Sequence, residues 1–227
     1  MAEFVIRDRV LTKYNGCRKA VAVPAGVTEI GQSAFMDHNE IESVALPDSI
    51  TDIGANAFFG CDAMKSINIP QGVRKIGDNA FLCCESLEKI VLPDSVTELG
   101  MWCFSECKSL RTVSIPESIR NIGALAFHRT KWLDEYPGDF ITVNDIFICY
   151  KGDDTTVEIP AGVKIIASQA FNECKNVEKI CIPSSVKRIC KNAFTSCEAL
   201  RLLEIHSNLK VPGCAFDDCG EVAVTIA

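Results

Sequence analysis

Prolines recur at a fixed step of 23 residues along most of this 227-residue chain, and that step restricts the fold more than any other feature. The step joins Pro24, Pro47, Pro70, Pro93 and Pro116, and resumes at Pro160 and Pro183 after one interruption. Eight phenylalanines follow the same step, with the same interruption after Phe127 and a slip of one residue before the last: Phe35, Phe58, Phe81, Phe104, Phe127, Phe171, Phe194 and Phe216. A fixed period of this length is typical of a solenoid. We therefore predict a repeat solenoid, mostly β, made of stacked 23-residue coils.

Each coil carries an alternating apolar segment that predicts a short parallel strand. The alternation is seen in Val44 and Leu46, and again 23 residues later in Ile67 and Ile69. The following proline ends the strand because it has no N–H to donate to the next coil. A second inward pair, such as Ile50 with Ile53, predicts another short extended or 3₁₀ stretch. The chain then turns at a glycine column that requires either a positive φ or close backbone approach: Gly31, Gly54, Gly77, Gly100 and Gly123.

The phenylalanine column and a cysteine column are predicted to face the core. Since a lone coil cannot bury an apolar face, the rings should stack between neighbouring coils. Copies of one position in adjacent coils have poor geometry for a disulfide, and the total of 13 cysteines is odd. We expect one cysteine column to be buried as free thiols that behave as small apolar groups: Cys61, Cys84, Cys107, Cys174 and Cys197.

The single interruption of the period contains a segment related to the N-terminus. Tyr14 and Gly16 match Tyr150 and Gly152, and both segments alternate around a two-residue break, which predicts two β-hairpins. The chain is predicted to be one solenoid over 1–227, with an N-terminal hairpin cap (1–18), repeats (19–133), an inserted hairpin (134–154), and further repeats with the C-terminal end (155–227).

The inserted hairpin has two interpretations. In one, the solenoid is continuous and the hairpin is a lateral flap packed on the fifth coil through Trp132, Leu133 and Tyr136. In the other, residues 130–154 form a hinge between two fused arrays. The resumption of the apolar columns in unchanged order favours the continuous solenoid. At the C-terminus, Val222, Val224 and Ile226 predict a last strand that belongs to a longer protein or is covered by another chain.

The coil pattern resembles the BspA-like, or Treponema-type, leucine-rich repeat family. The segments LPDSITDIGANAFFGCDAM and LPDSVTELGMWCFSECKSL carry the resemblance, which extends over nearly the whole chain. It implies a right-handed curved array in bacterial proteins, many of them on the cell surface, that serve adhesion and protein binding. The last coil departs from the pattern, with His206 where proline is expected.

Charge and hydropathy exclude several classes of partner. A formal charge of −7 argues against nucleic acid, whose recognition needs clustered lysine and arginine. Membrane insertion is not expected, since no stretch approaches the roughly 18 apolar residues of a spanning segment. The N-terminus, with Glu3, Arg7, Asp8 and Arg9, does not resemble a signal peptide. This feature and the odd number of cysteines favour the cytoplasm, whereas the resemblance implies the cell surface.

Enzymatic chemistry is not expected. His38, His128 and His206 fall at three different repeat positions, so stacking does not gather them into a triad or a metal site. Motifs for phosphate, zinc or an activated serine are missing from the sequence. We therefore predict no catalytic residue, metal or cofactor. A thiol-based sensor built from Cys174, Cys181 and Cys197 is an alternative hypothesis.

The strand residues between the apolar columns should point outward on the inner curve, where solenoids usually bind their partners. This set is Ser43, Ala45, Ser66, Asn68, Lys89, Val91, Thr112, Ser114, Thr156, Glu158, Lys179 and Cys181. We predict a noncatalytic scaffold that binds a protein, or alternatively a glycan, through this face. The competing hypothesis is a structural spacer or oligomerisation module of a larger cell-surface protein, with self-association through the C-terminal end.

Overall fold

The computed structural model describes residues 2–206 and 209–226. The chain divides into two compact units, Met1–Tyr136 and Pro137–Ala227. Both consist of coils of about 23 residues with short parallel strands and almost no helix, which confirms the predicted mostly-β solenoid. One domain over 1–227 stays a prediction, and its terminal residues lie outside the described part.

The described part of the first unit contains twelve strands in two kinds of ladder. They are β1 (Phe4–Arg7), β2 (Val10–Tyr14), β3 (Ala20–Ala22), β4 (Glu29–Ile30), β5 (Ser43–Ala45), β6 (Asp52–Ile53), β7 (Ser66–Ile67), β8 (Lys75–Ile76), β9 (Lys89–Val91), β10 (Glu98–Leu99), β11 (Thr112–Ser114) and β12 (Asn121–Ile122). One sheet has the order β1-β2-β4-β6-β8-β10-β12, and the alternate strands form sheets β3-β5-β7 and β9-β11. Each coil therefore supplies one strand to each ladder.

The 23-residue step is also the register of both ladders. Ser43 pairs with Ser66 in one, and Asp52 pairs with Lys75 in the other. Between the two strands the chain turns at the proline, where the N–H of Ile50 donates to the carbonyl of Pro47 at 3.1 Å. The second inward stretch is a two-residue strand, so the extended form of that prediction is confirmed.

The glycine column is required by close approach between coils. A Cβ at Gly100 would lie 2.5 Å from the backbone N of Asp78, and one at Gly123 would lie 2.3 Å from the N of Met101. Positive φ values occur two residues later instead, at Ser33, Asn56, Asn79, Trp102 and Leu125. Residues other than glycine therefore adopt the left-handed conformation, and glycine occupies the position where no Cβ fits.

The phenylalanine rings form the predicted buried ladder. From Phe35 to Phe127, successive centroids lie 5.0 to 5.6 Å apart and the ring planes differ by 5° to 11°. Phe35, Phe58, Phe81 and Phe104 are fully buried. Each coil thus covers the ring of the coil before it.

The cysteine column is buried as predicted, and its thiols also donate hydrogen bonds. The Sγ atoms of Cys61, Cys84 and Cys107 lie 3.1 to 3.2 Å from the carbonyl oxygens of Phe35, Phe58 and Phe81 in the preceding coil. Burial raises the pKa of the Cys61 thiol to about 12. These cysteines therefore satisfy a backbone acceptor as well as filling space.

Both ends of the first unit are closed by aromatic residues. In the hairpin β1-β2, Tyr14 pairs with Phe4 and its ring lies 5.1 Å from that of Phe35. At the other end, the helix α1 (Lys131–Asp134) places the Trp132 ring 4.8 Å from Phe127. The predicted hairpin cap is confirmed, and Trp132 packs on the fifth coil.

The second unit repeats this design with its own hairpin. Its strands are β13 (Phe140–Val143), β14 (Ile146–Tyr150), β15 (Thr156–Glu158), β16 (Ile165–Ile166), β17 (Lys179–Ile182), β18 (Arg188–Ile189), β19 (Leu202–Ile205) and β20 (Ala223–Ile226), with a 3₁₀ turn at Gly213–Ala215. The sheet orders are β13-β14-β16-β18 and β15-β17-β19-β20. The inserted hairpin thus begins a ladder as the N-terminal hairpin does. Whether it is a flap or a hinge stays a prediction.

Candidate binding surface

The predicted outward residues of the first unit lie on the ladder β3-β5-β7 and on β9-β11, with Asn68 directly after β7, and we call this surface the first strand face. Side chains between the buried positions are exposed at Ala45, Ser66, Lys89 and Thr112, and Ser43 is half-buried. Val91 is the largest apolar residue of this set and is 49% exposed. The alternation places these side chains on the outside because Val44, Ile67 and Ile90 occupy the inside.

A shallow open depression of about 370 Å³ lies over the first three strands of this face. Ser43, Ala45, Ser66 and Asn68 of the predicted set contribute to its lining, and so do Ala20 and Ala22 of β3. The sequence reasoning missed the two alanines, although they precede Ser43 and Ala45 by one period and pair with them. The small side chains leave the sheet backbone close to the surface.

Charged residues border the first strand face and neutralise one another. The Nζ atoms of Lys19 and Lys65 lie 2.9 and 3.3 Å from the two carboxylate oxygens of Glu42. The hydrogen bonds from Lys19 and then Lys65 lower the pKa of Glu42. This border therefore offers alternating charges one coil apart rather than a field of one sign.

The second unit has a more polar and charged equivalent, the second strand face on β15-β17-β19-β20. Thr156 and Glu158 are exposed there, while Lys179 and Cys181 are half-buried. Lys179 donates to Glu204 at 2.8 Å, and this hydrogen bond lowers the pKa of Glu204 and raises that of Lys179. Cys181 pairs with Glu158 on one side and Glu204 on the other. Thr225 of β20 extends the face beyond the predicted set.

The cysteines of the proposed sensor lie in different environments. Cys174 and Cys197 are buried, whereas Cys181 is on the second strand face. Burial raises the pKa of all three thiols, to about 12 for Cys174. None of the thirteen cysteines, which all lie in the described part of the chain, forms a disulfide. A sensor formed by these three residues stays a prediction.

The described residues contain no cluster of three histidine, cysteine or acidic side chains arranged to hold a metal ion. His38 instead occupies the repeat position of the cysteine column, with Nε2 3.0 Å from the carbonyl oxygen of Tyr14. In residues 2–206 and 209–226, no helix has the length and apolar character needed to cross a membrane.

Known structures share this architecture. A leucine-rich repeat protein of T. pallidum is 30% identical, with a TM-score of 0.58 over 84% of this chain and 82% of that one. Repeat proteins of Eubacterium ventriosum (20% identity, TM-score 0.57, 95% of this chain and 71% of that one) and Bacteroides ovatus (22%, 0.52, 100% and 70%) share the fold.

A search of curated proteins found no match. The model of the BspA-type leucine-rich repeat region matches residues 16–138 and 142–225 in six copies. This match extends over nearly the whole chain and agrees with the ladders, the proline turns and the phenylalanine stack. The chain therefore belongs to the BspA-type leucine-rich repeat family.

Proposed function

We propose that this chain is a noncatalytic scaffold that binds a protein partner through its strand faces. The proposal depends on one observation: both faces present exposed side chains that alternate with strand residues mostly buried in the core. Proteins with this repeat are typically noncatalytic, and repeat solenoids bind partners on extended surfaces.

The first strand face is the better candidate for close contact. Its depression has small, uncharged side chains at Ala22, Ser43 and Ser66, and Val91 is exposed further along the face. Such a surface accepts large apolar or aromatic side chains, which are the residues that contribute most to protein interfaces. The border of this face should attract a highly charged ligand only weakly, because Lys19 and Lys65 are paired with Glu42.

Affinity capture with matched variants tests this proposal. The binding variant combines Ser66→Arg with Thr112→Arg, which places bulky charges on the first strand face. The control combines Thr51→Arg with Thr97→Arg, two exposed positions just before strands of the other ladder. Both variants should keep the wild-type circular dichroism spectrum and melting temperature.

The proposal predicts that at least one protein is captured by wild type and control but lost with the binding variant. Identical captured sets for all three proteins would contradict it. A glycan array probed with the same three proteins tests the alternative ligand class. A signal that is lost only with the binding variant would identify the ligand as a glycan rather than a protein.

Self-association is a second candidate, supported by strand β20. Its far edge pairs with no strand in the described part of the chain, and Val224 and Ile226 are 45% and 68% exposed. An exposed apolar edge strand is a template for pairing with another chain. Sedimentation at increasing concentration should detect a dimer that Val224→Lys removes and Val91→Lys retains. A monomer at all concentrations would exclude this role.

A further inference from the structure

Two thiols of the second unit meet at one carbonyl group. The Sγ atom of Cys149 on β14 lies 3.6 Å from the carbonyl oxygen of Tyr150, and the Sγ of Cys174 lies 3.9 Å from the same oxygen. Cys149 belongs to the hairpin and Cys174 to the turn of the first coil. The shared acceptor brings together two cysteines that the sequence places in unrelated positions.

The first unit has other residues at the two equivalent positions, which shows what is particular to this pair. In the hairpins, Lys13 pairs with Val5 as Cys149 pairs with Ile141, and in both cases the register shift lies next to this pair. His38 contacts the carbonyl oxygen of Tyr14 as Cys174 contacts that of Tyr150. Lysine and histidine thus occupy the positions where the second unit has two thiols.

We propose that Cys149 and Cys174 form a reversible dithiol–disulfide site that links the hairpin β13-β14 to the first coil of the second unit. The pair differs from the predicted sensor of Cys174, Cys181 and Cys197, because its partner for Cys174 is a hairpin residue. It is also separate from the strand faces proposed to bind a partner.

Exposure determines the order of reaction. Cys149 is half-buried, whereas Cys174 is 9% exposed and burial raises the pKa of its thiol. With a peroxide as oxidant, Cys149 Sγ attacks the O–O bond, becomes a sulfenic acid and releases water. Cys174 Sγ then attacks the sulfenic sulfur, and the hydroxyl leaves with the Cys174 proton as a second water. Two thiols and one hydrogen peroxide thus give one disulfide and two waters.

The linked state should make the second unit more resistant to unfolding. A disulfide between these residues closes the chain from 149 to 174 into a loop, which restricts the unfolded state. It also fixes the hairpin, the first element of the ladder β13-β14-β16-β18, to the coil that the hairpin covers. The oxidised protein should therefore melt several degrees above the reduced protein, and dithiothreitol should reverse the shift.

Peptide mapping after oxidation tests the site directly. The full chain is treated with hydrogen peroxide under native conditions, alkylated with N-ethylmaleimide and digested without reduction. The expected main product is an intramolecular Cys149–Cys174 peptide. Cys149→Ser should abolish the link and leave Cys174 reduced, whereas Cys181→Ser should leave the link unchanged.

A transplanted pair provides a test that does not depend on removing a buried thiol. The double variant Lys13→Cys with His38→Cys should form the equivalent link in the first unit under the same treatment. The proposal is overturned if wild type gives only an oxidised Cys149 with an alkylated Cys174, or if Cys174 links to Cys197 instead.

Discussion

Phe81→Ala removes one ring from the middle of the phenylalanine ladder. The ring is fully buried, and its centroid lies 5.1 Å from that of Phe58 and 5.2 Å from that of Phe104. A buried aromatic side chain removes roughly 150–250 Å² from water, worth about 4–6 kcal/mol at about 25 cal/mol per Å². Core truncations of this kind cost about 3–5 kcal/mol, so we expect a loss of about 4 kcal/mol.

Urea denaturation followed by circular dichroism measures this loss, and Phe216→Ala is the matched control. Phe216 is half-buried and stacks on one ring, Phe194, at 5.4 Å, so we expect about 2 kcal/mol. If the two units unfold separately, Phe81→Ala should move the transition of residues 1–136 alone. A loss below about 1 kcal/mol for Phe81→Ala would refute the buried ladder.

Three further predictions concern glycine, cysteine and pH. Gly100→Ala should cost about 1–3 kcal/mol in the same urea assay, because the new Cβ meets the backbone of Asp78 and Gly77. A Cβ at Gly213 meets nothing within 4 Å, so Gly213→Ala should change the stability by less than about 0.5 kcal/mol. Cys84→Ala should cost about 1–2 kcal/mol more than Cys17→Ala, because the Cys84 thiol donates to the buried carbonyl of Phe58 whereas Cys17 is exposed. Equal losses of stability would exclude a stabilising role for this hydrogen bond. Burial raises the pKa of Cys61 to about 12, whereas an unfolded thiol ionises near pH 8.5. The free energy of unfolding should therefore be constant below about pH 8.5 and fall as the pH rises towards 12. The expected slope is up to about 1.4 kcal/mol per pH unit for each such thiol. A smaller slope for Cys61→Ala would identify the group, and a flat profile would contradict the assignment.

The coil architecture was predictable from sequence because every layer of the fold has the same period. The prolines, the phenylalanines and the apolar pairs each fix one position of the coil, and stacking converts the sequence step into strand register. The hairpins were predictable for the same reason, since Tyr14 with Gly16 and Tyr150 with Gly152 repeat one local design. In both, a Cβ on the glycine would lie within 2.3 Å of the tyrosine hydroxyl.

Features that depend on contacts between different repeat positions were not predictable. A periodic sequence shows that the Cys84 position is buried, but not that its thiol reaches the carbonyl of Phe58. The left-handed turn occurs at Trp102 and Leu125, residue types that seldom adopt it, so propensity pointed to the neighbouring glycines instead. The meeting of Cys149 with Cys174 depends on a hairpin that interrupts the period.

Photo-crosslinking tests the scaffold function most directly. A benzoylphenylalanine is placed at Asn68, in the depression of the first strand face, and in a second protein at Glu98 on the other ladder; both positions are exposed. The expected result in lysate is a discrete protein adduct from position 68 that position 98 does not give. The same adducts from both positions, or adducts only from position 98, would contradict a partner bound at the first strand face.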